Sequence, residues 1–187
     1  MLDDATARTA VTAAADRLFY ARGVQSVGMD AVRAEAGVSL KRIYALYPSK
    51  EDLVVAVLAG RTQQWADGLD RWAAEADTPR EQVLAVFDFL DAWFREDGFR
   101  GCAFINSFGE LGATSPRVAE AVREHKESFR RYVEELVQEA GLPDAVALQV
   151  VLLAEGAQTT AAITRDADVA RQARAAAEAL IDAAVPA

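Results

Sequence analysis

Residues 37–51, Gly37-Val38-Ser39-Leu40-Lys41-Arg42-Ile43-Tyr44-Ala45-Leu46-Tyr47-Pro48-Ser49-Lys50-Glu51, constrain this chain more than any other stretch. They read as a tight turn, a short helix and the capped start of another helix. Upstream, residues 29–36 form a short helix with Met29, Val32 and Ala36 at helical spacing. Gly37 accepts the left-handed conformation that ends such a helix. Val38 fills the angle between the two helices, and Ser39 caps the second. That second helix turns Ile43 inward, with Leu46 beside it. It directs Leu40, Lys41, Arg42, Tyr44 and Ala45 outward. Two adjacent cations and a tyrosine on an exposed helix suit the phosphate-lined major groove of double-stranded DNA.

The rest of the sequence is also helical in pattern. A first helix runs from about Asp4 to Arg22, with Ala7, Val11, Ala14, Ala15, Leu18 and Phe19 on one face, and Gly23 ends it. Ser49 is the expected N-cap of a helix reaching about Ala76, where Glu51 and Asp52 suit its positive end. Thr78-Pro79 opens the next, which carries Val83, Phe87, Leu90 and Phe94 at helical spacing. A shorter helix spans Cys102 to Leu111. Ser115-Pro116 starts another, with Val118, Val122, His125, Phe129, Tyr132 and Leu136 on one stripe. Two alanine-rich helices, about Asp144–Thr164 and Ala167–Ala184, finish the chain. The expectation is an all-α protein of about nine helices. Three form a helix-turn-helix domain over residues 1–48 and six a helical domain over 49–187, with the helix of about 49–76 as connector.

Charge supports this division. The chain carries a net charge of -9. Residues 1–50 nevertheless hold seven basic residues (Arg8, Arg17, Arg22, Arg33, Lys41, Arg42, Lys50) against five acidic ones, and the acidic excess falls on the remainder. A DNA-facing end joined to an acidic body produces that asymmetry. With 52% hydrophobic residues the chain can bury a substantial core. No uninterrupted run of eighteen apolar residues occurs, and the N-terminus lacks a signal-peptide layout, so a soluble cytoplasmic protein with no membrane association is expected. A single cysteine, Cys102, and a single histidine, His125, leave no zinc-ligand spacing, so no metal and no cofactor are expected.

The first sixty or so residues resemble the N-terminal domain of TetR-family transcriptional repressors. The resemblance rests on Leu18-Phe19-Tyr20-Ala21-Arg22-Gly23-Val24, the helix-turn-helix, and Tyr44-Ala45-Leu46-Tyr47-Pro48-Ser49-Lys50-Glu51, in order and at the family's spacing. Two departures stand out. Gly28 sits where the family often has Thr or Ser, and Ala45-Leu46 replaces a pair that is often large and polar, leaving fewer side chains for base edges. Residues 101–111, Gly101-Cys102-Ala103-Phe104-Ile105-Asn106-Ser107-Phe108-Gly109-Glu110-Leu111, resemble a phrase in one branch of TetR C-terminal domains. The resemblance implies a ligand-responsive regulator, a repressor that binds a palindromic operator as a homodimer and is released by a small-molecule effector.

Candidate DNA contacts are Gly28, Ser39, Leu40, Lys41, Arg42, Tyr44, Tyr47 and Lys50. Arg42 can hold a guanine edge in two hydrogen bonds, worth about 1–3 kcal/mol of discrimination. The tyrosine hydroxyls suit phosphates, and Gly28 and Lys50 lie at helix starts whose amides favour anions. The alternative to DNA contact is a solvated charged face with Tyr47 merely packed. In the body, Trp65, Phe87, Trp93, Phe104, Phe108 and Phe129, with Asn106, His125 and Glu155 as polar groups, would line a cavity for a partly apolar or aromatic effector. Taken singly, each aromatic, and His125, reads as core. The last two helices carry apolar or small residues on more than one side, which calls for a second partner and suits a dimer across a two-fold axis. The rival functions are a helical protein–protein adaptor with a vestigial DNA motif and a small all-α enzyme using His125 with Glu110 or Glu155. No nucleophile motif, metal cluster or phosphate loop favours catalysis, so no enzyme activity is expected.

Overall fold

The computed structural model describes residues 3–184. Among them nine α-helices follow one another: α1 Asp4–Arg22, α2 Met29–Ala36, α3 Leu40–Leu46, α4 Lys50–Ala74, α5 Pro79–Phe94, α6 Ala103–Leu111, α7 Pro116–Glu139, α8 Ala145–Thr164 and α9 Val169–Ala184. The contacts gather them into two compact units. One unit comprises the residues through Thr62 together with Ala103–Glu124, and the other Gln63–Cys102 together with the residues from His125 onward. The first three helices are short. At 19, 8 and 7 residues they offer little apolar surface. The start of α4, all of α6 and the start of α7 therefore complete that unit.

Local chemistry fixes the helix ends of the first unit. Asp3 accepts from the Thr6 amide at 2.8 Å and caps α1, whose inner face buries Ala7, Val11, Ala14, Ala15, Leu18 and Phe19. Gly37, at φ 66°, ends α2 in the left-handed region and turns the chain into α3. Ser39 Oγ accepts from the Arg42 amide at 3.2 Å. Val32 of α2, Ile43 of α3 and Leu53 of α4 are all 0% exposed, so each helix contributes a fully buried anchor. At the start of α4, Ser49 Oγ accepts from the Asp52 amide while Asp52 Oδ2 accepts from the Ser49 amide, a reciprocal cap. Ser115 caps α7 and donates its hydroxyl to Glu51. Arg117 pairs with Asp52 at 2.7 Å, so the starts of α4 and α7 are tied side by side.

The second unit is built on α5, α8 and α9 with the C-terminal parts of α4 and α7. Phe87, Leu90, Phe129, Val133, Val150 and Ile181 form its centre. Small buried residues on α9, Ala170, Ala173 and Ala177, let α5 and α8 pack closely against it. Helix α8 is long and apolar enough to cross a membrane by length and composition. One face of it, including Val146, Val150, Ala154 and Ala161, is buried in the unit's core.

Candidate DNA-reading surface and ligand-facing residues

Helix α3 is amphipathic over only seven residues. Ile43 and Leu46 are buried, which settles the helix's rotation and leaves Lys41, Tyr44 and Ala45 on the outer side. Tyr44 is 43% exposed, a large ring held in solvent. Lys41 is exposed and makes no ion pair among the described residues. Arg42 is partly covered because its guanidinium pairs with Asp4 at the start of α1. Leu40 is half-buried. Ser39 spends its hydroxyl on the cap, and Gly28 stands exposed at the start of α2, where its carbonyl accepts from the Ala31 and Val32 amides.

Two expected phosphate contacts point inward. Tyr47 is buried at 7% exposure, with the Arg8 guanidinium 5.3 Å from its ring centre while Arg8 donates to the Leu46 carbonyl. The ring closes the end of α3 against α1. Lys50 donates to the carbonyl of Val24 and lies over the Phe19 ring. Burial pushes its pKa down, and the nearby Glu110 carboxylate offsets part of that push. Lys50 thus helps hold the α1–α2 turn. In a sequence, a lysine at a helix start looks the same whether it faces solvent or a carbonyl 26 residues away.

Glu110 of α6 binds the turn after α1. Its two carboxylate oxygens accept from the Val24 and Gln25 amides at 3.0 and 2.7 Å, and its own carbonyl accepts from the Gln25 side chain. Through this one residue α6 grips the α1–α2 turn. Gly23, at φ 84°, lies against the same carboxylate, and a Cβ there would meet it at 3.1 Å.

The residues expected to line an effector site do not form one group. Trp65, Trp93, His125 and Phe129 come together in the second unit. The Trp65 ring packs edge-on at 5.5 Å from Phe129, 5.6 Å from Trp93 and 6.0 Å from His125, with Phe89 at 5.1 Å. The Trp65 indole N–H is buried without a hydrogen-bond partner. His125 is 3% exposed, and its pKa is pushed down to about 3, first by burial and then by the Lys126 ammonium. Phe87 lies wholly within the core. Glu155 accepts from Lys126 at 2.6 and 2.8 Å, so its carboxylate is already matched by a cation. Phe104, Asn106 and Phe108 belong to the first unit. There Phe104 is buried, Phe108 is 53% exposed, and Asn106 stands at the edge of a cavity. Sequence reasoning missed Arg61 and Asp16, which pair across 45 residues, and Lys126 as the partner of Glu155. Neither pair leaves a local signal.

Comparison with known proteins agrees with this architecture. A family model of bacterial regulatory proteins of the tetR family matches residues 11–57, and one of the tetracyclin repressor-like C-terminal domain matches residues 79–177. The HTH-type transcriptional activator FasR of Mycolicibacterium smegmatis is 32% identical over 135 residues, 69% of this chain; the chain spans 58% of that protein's length. A TetR-family transcriptional regulator of Streptomyces coelicolor superposes with a TM-score of 0.88 at 30% identity, covering 96% of both chains. A further regulator of this kind, from Streptomyces avermitilis, gives a TM-score of 0.83 at 27% identity, covering 95% of this chain and 97% of its own. The chain belongs to the TetR family of helix-turn-helix transcriptional regulators.

Proposed function

We propose that this regulator is a homodimer that binds an inverted-repeat operator through two copies of α3, and that a small-molecule effector binding its helical body releases it. The observation that carries this reading is the fixed rotation of α3. Two buried residues anchor it while Lys41 and Tyr44 face out, with Arg42 beside them. The Arg42–Asp4 pair does not oppose DNA contact. A solvent-accessible ion pair is worth about 0–1 kcal/mol, whereas a guanidinium on a guanine edge gains about 1–3 kcal/mol. Exchange of Asp4 for DNA therefore favours the complex. Gly28, Ser39, Leu40 and the turn they flank supply positioning contacts to the backbone.

Dimerisation is supported by α8. Leu148, Leu152 and Ile163 are 53%, 62% and 77% exposed, and with Thr159 they follow a single stripe along the helix. The exposed Ala175, Ala176 and Ala179 give α9 a small-residue surface suited to close helix approach. Isologous pairing of the two helices buries such a stripe on both copies at once. The effector is proposed to be partly apolar or aromatic and to carry a hydrogen-bond acceptor. The ring cluster around Trp65 supplies apolar surface, and its buried, unpartnered indole N–H is a donor in want of an acceptor. Such a ligand acts only through its differential affinity for the DNA-competent and released states.

Occupancy of an operator overlapping a promoter is sufficient for repression, and repression in the cytoplasm is the role proposed here. Similarity to FasR, named an activator, favours activation as the second reading. A promoter–reporter assay with the gene supplied and removed decides the sign. Operator binding is tested by Arg42→Ala, which should weaken DNA binding and leave the dimer intact. Unchanged affinity would overturn the assignment of α3.

A further inference from the structure

The first unit contains a cavity of about 400 Å³ walled by α1, α4 and α6, within the range of small-molecule sites. All of its lining residues lie in the unit that carries α3, and none of them belongs to the aromatic cluster around Trp65. Phe19, Val24, Val54, Val57 and Leu58 form its apolar wall. Asn106 and Ser107 place an amide and a hydroxyl on the α6 side.

The charges on the wall are already matched. Asp16 pairs with Arg61, whose guanidinium lies 4.0 Å from the centre of the Tyr20 ring. Glu110 is held by the Val24 and Gln25 amides and sits near the Lys50 ammonium. A cationic ligand would have to displace Arg61 or those amides, and an anionic one would meet two carboxylates. The wall favours an uncharged ligand that covers the valine–leucine surface and exchanges hydrogen bonds with Asn106 and Ser107.

We infer that this cavity is a second ligand site, distinct from the effector site in the aromatic body, and that it takes an uncharged, partly apolar small molecule. Occupancy braces α6 against α1 and α4. It acts where Glu110 of α6 grips the turn leading into α2 and α3. Such a ligand reaches the reading helix through the DNA-reading unit alone.

The test uses the full chain and N-phenyl-1-naphthylamine, a neutral aromatic probe. Titration is followed by probe fluorescence and by NMR of the valine and leucine methyls. Saturable binding should shift Val54, Val57 and Leu58 methyls. Ala103→Trp, which fills the cavity from a half-exposed position on α6, should weaken this binding at least tenfold. Asn106→Leu, at the exposed rim, serves as a second variant whose folding is not at risk, and it should change affinity for probe analogues bearing a hydroxyl. Shifts confined to residues around Trp65 and Phe129, or no shift at millimolar probe, would overturn the inference. DNA binding by the unliganded protein is measured on the same samples. Failure of the cavity site is thereby separated from failure of the DNA-binding reading.

Discussion

His125 should make this protein acid-sensitive in a way that one substitution removes. The imidazole is 3% exposed, packed 6.0 Å from the Trp65 ring, and its pKa lies at about 3 instead of 6.5. The adjacent Lys126 is matched by Glu155, which leaves desolvation as the main cause. Because the folded-state value is lowered, the unfolded chain binds the extra proton between about pH 6.5 and 3. Stability is therefore full above that window and falls as the pH drops through it. Each pH unit below the unfolded value costs about 1.4 kcal/mol, so at pH 5 the loss from this residue is about 2 kcal/mol. His125→Gln removes the titration and keeps a polar side chain. Urea denaturation of both proteins at pH 7.5 and pH 5, at one fixed concentration to hold dimerisation constant, gives the difference directly. The wild type should lose about 2 kcal/mol more than the variant. Equal losses would mean that His125 reaches water or an acidic partner in the folded state, and would refute the reasoning.

Other consequences follow from the same contacts. Asp4→Asn removes the Asp4–Arg42 ion pair and a negative charge beside α3, so operator affinity in a gel-shift titration should rise several-fold; a fall would mean Asp4 orients Arg42 for DNA. Leu152→Glu places a charge in the exposed stripe of α8 and should yield monomers in sedimentation with helical content retained, whereas an unchanged dimer would locate the interface elsewhere. Gly37→Ala forces a side chain into the left-handed region at φ 66° and should lower stability by about 1 kcal/mol in thermal unfolding, despite open space around the Cβ. Leu53→Ala, at a fully buried position of α4, should lower it by about 2–5 kcal/mol, and a loss near zero would contradict the packing of the first unit.

The helices and their punctuation were legible because they are local. Ser39, Ser49, Thr78 and Ser115 each accept from an amide three residues on, and Gly37 turns the chain where the left-handed conformation is needed. Every one of these acts within a single turn of chain. The rotation of α3 was legible for the same reason, since Ile43 and Leu46 share a face. Long-range pairings were not. Glu110 reaches Val24 across 86 residues, Lys50 reaches the same residue across 26, and Arg61 reaches Asp16 across 45. A charged residue on a helix looks solvated until its distant partner is known. That is why Lys50 and Tyr47 were expected at the phosphates and are found in the packing. The place of α6 was illegible for a related reason: it begins at Ala103, far along the chain from α1, yet it belongs to the same compact unit as α1 and the start of α4.

The central claim, that two copies of α3 read a symmetric site, is tested most directly by selecting bound duplexes from a random DNA pool with purified protein at two salt concentrations. The account predicts an enriched inverted repeat, its half-sites one helical turn or a multiple apart, with affinity falling steeply as salt rises. No enrichment from folded protein at either salt, or enrichment of a single half-site without its mate, would contradict it.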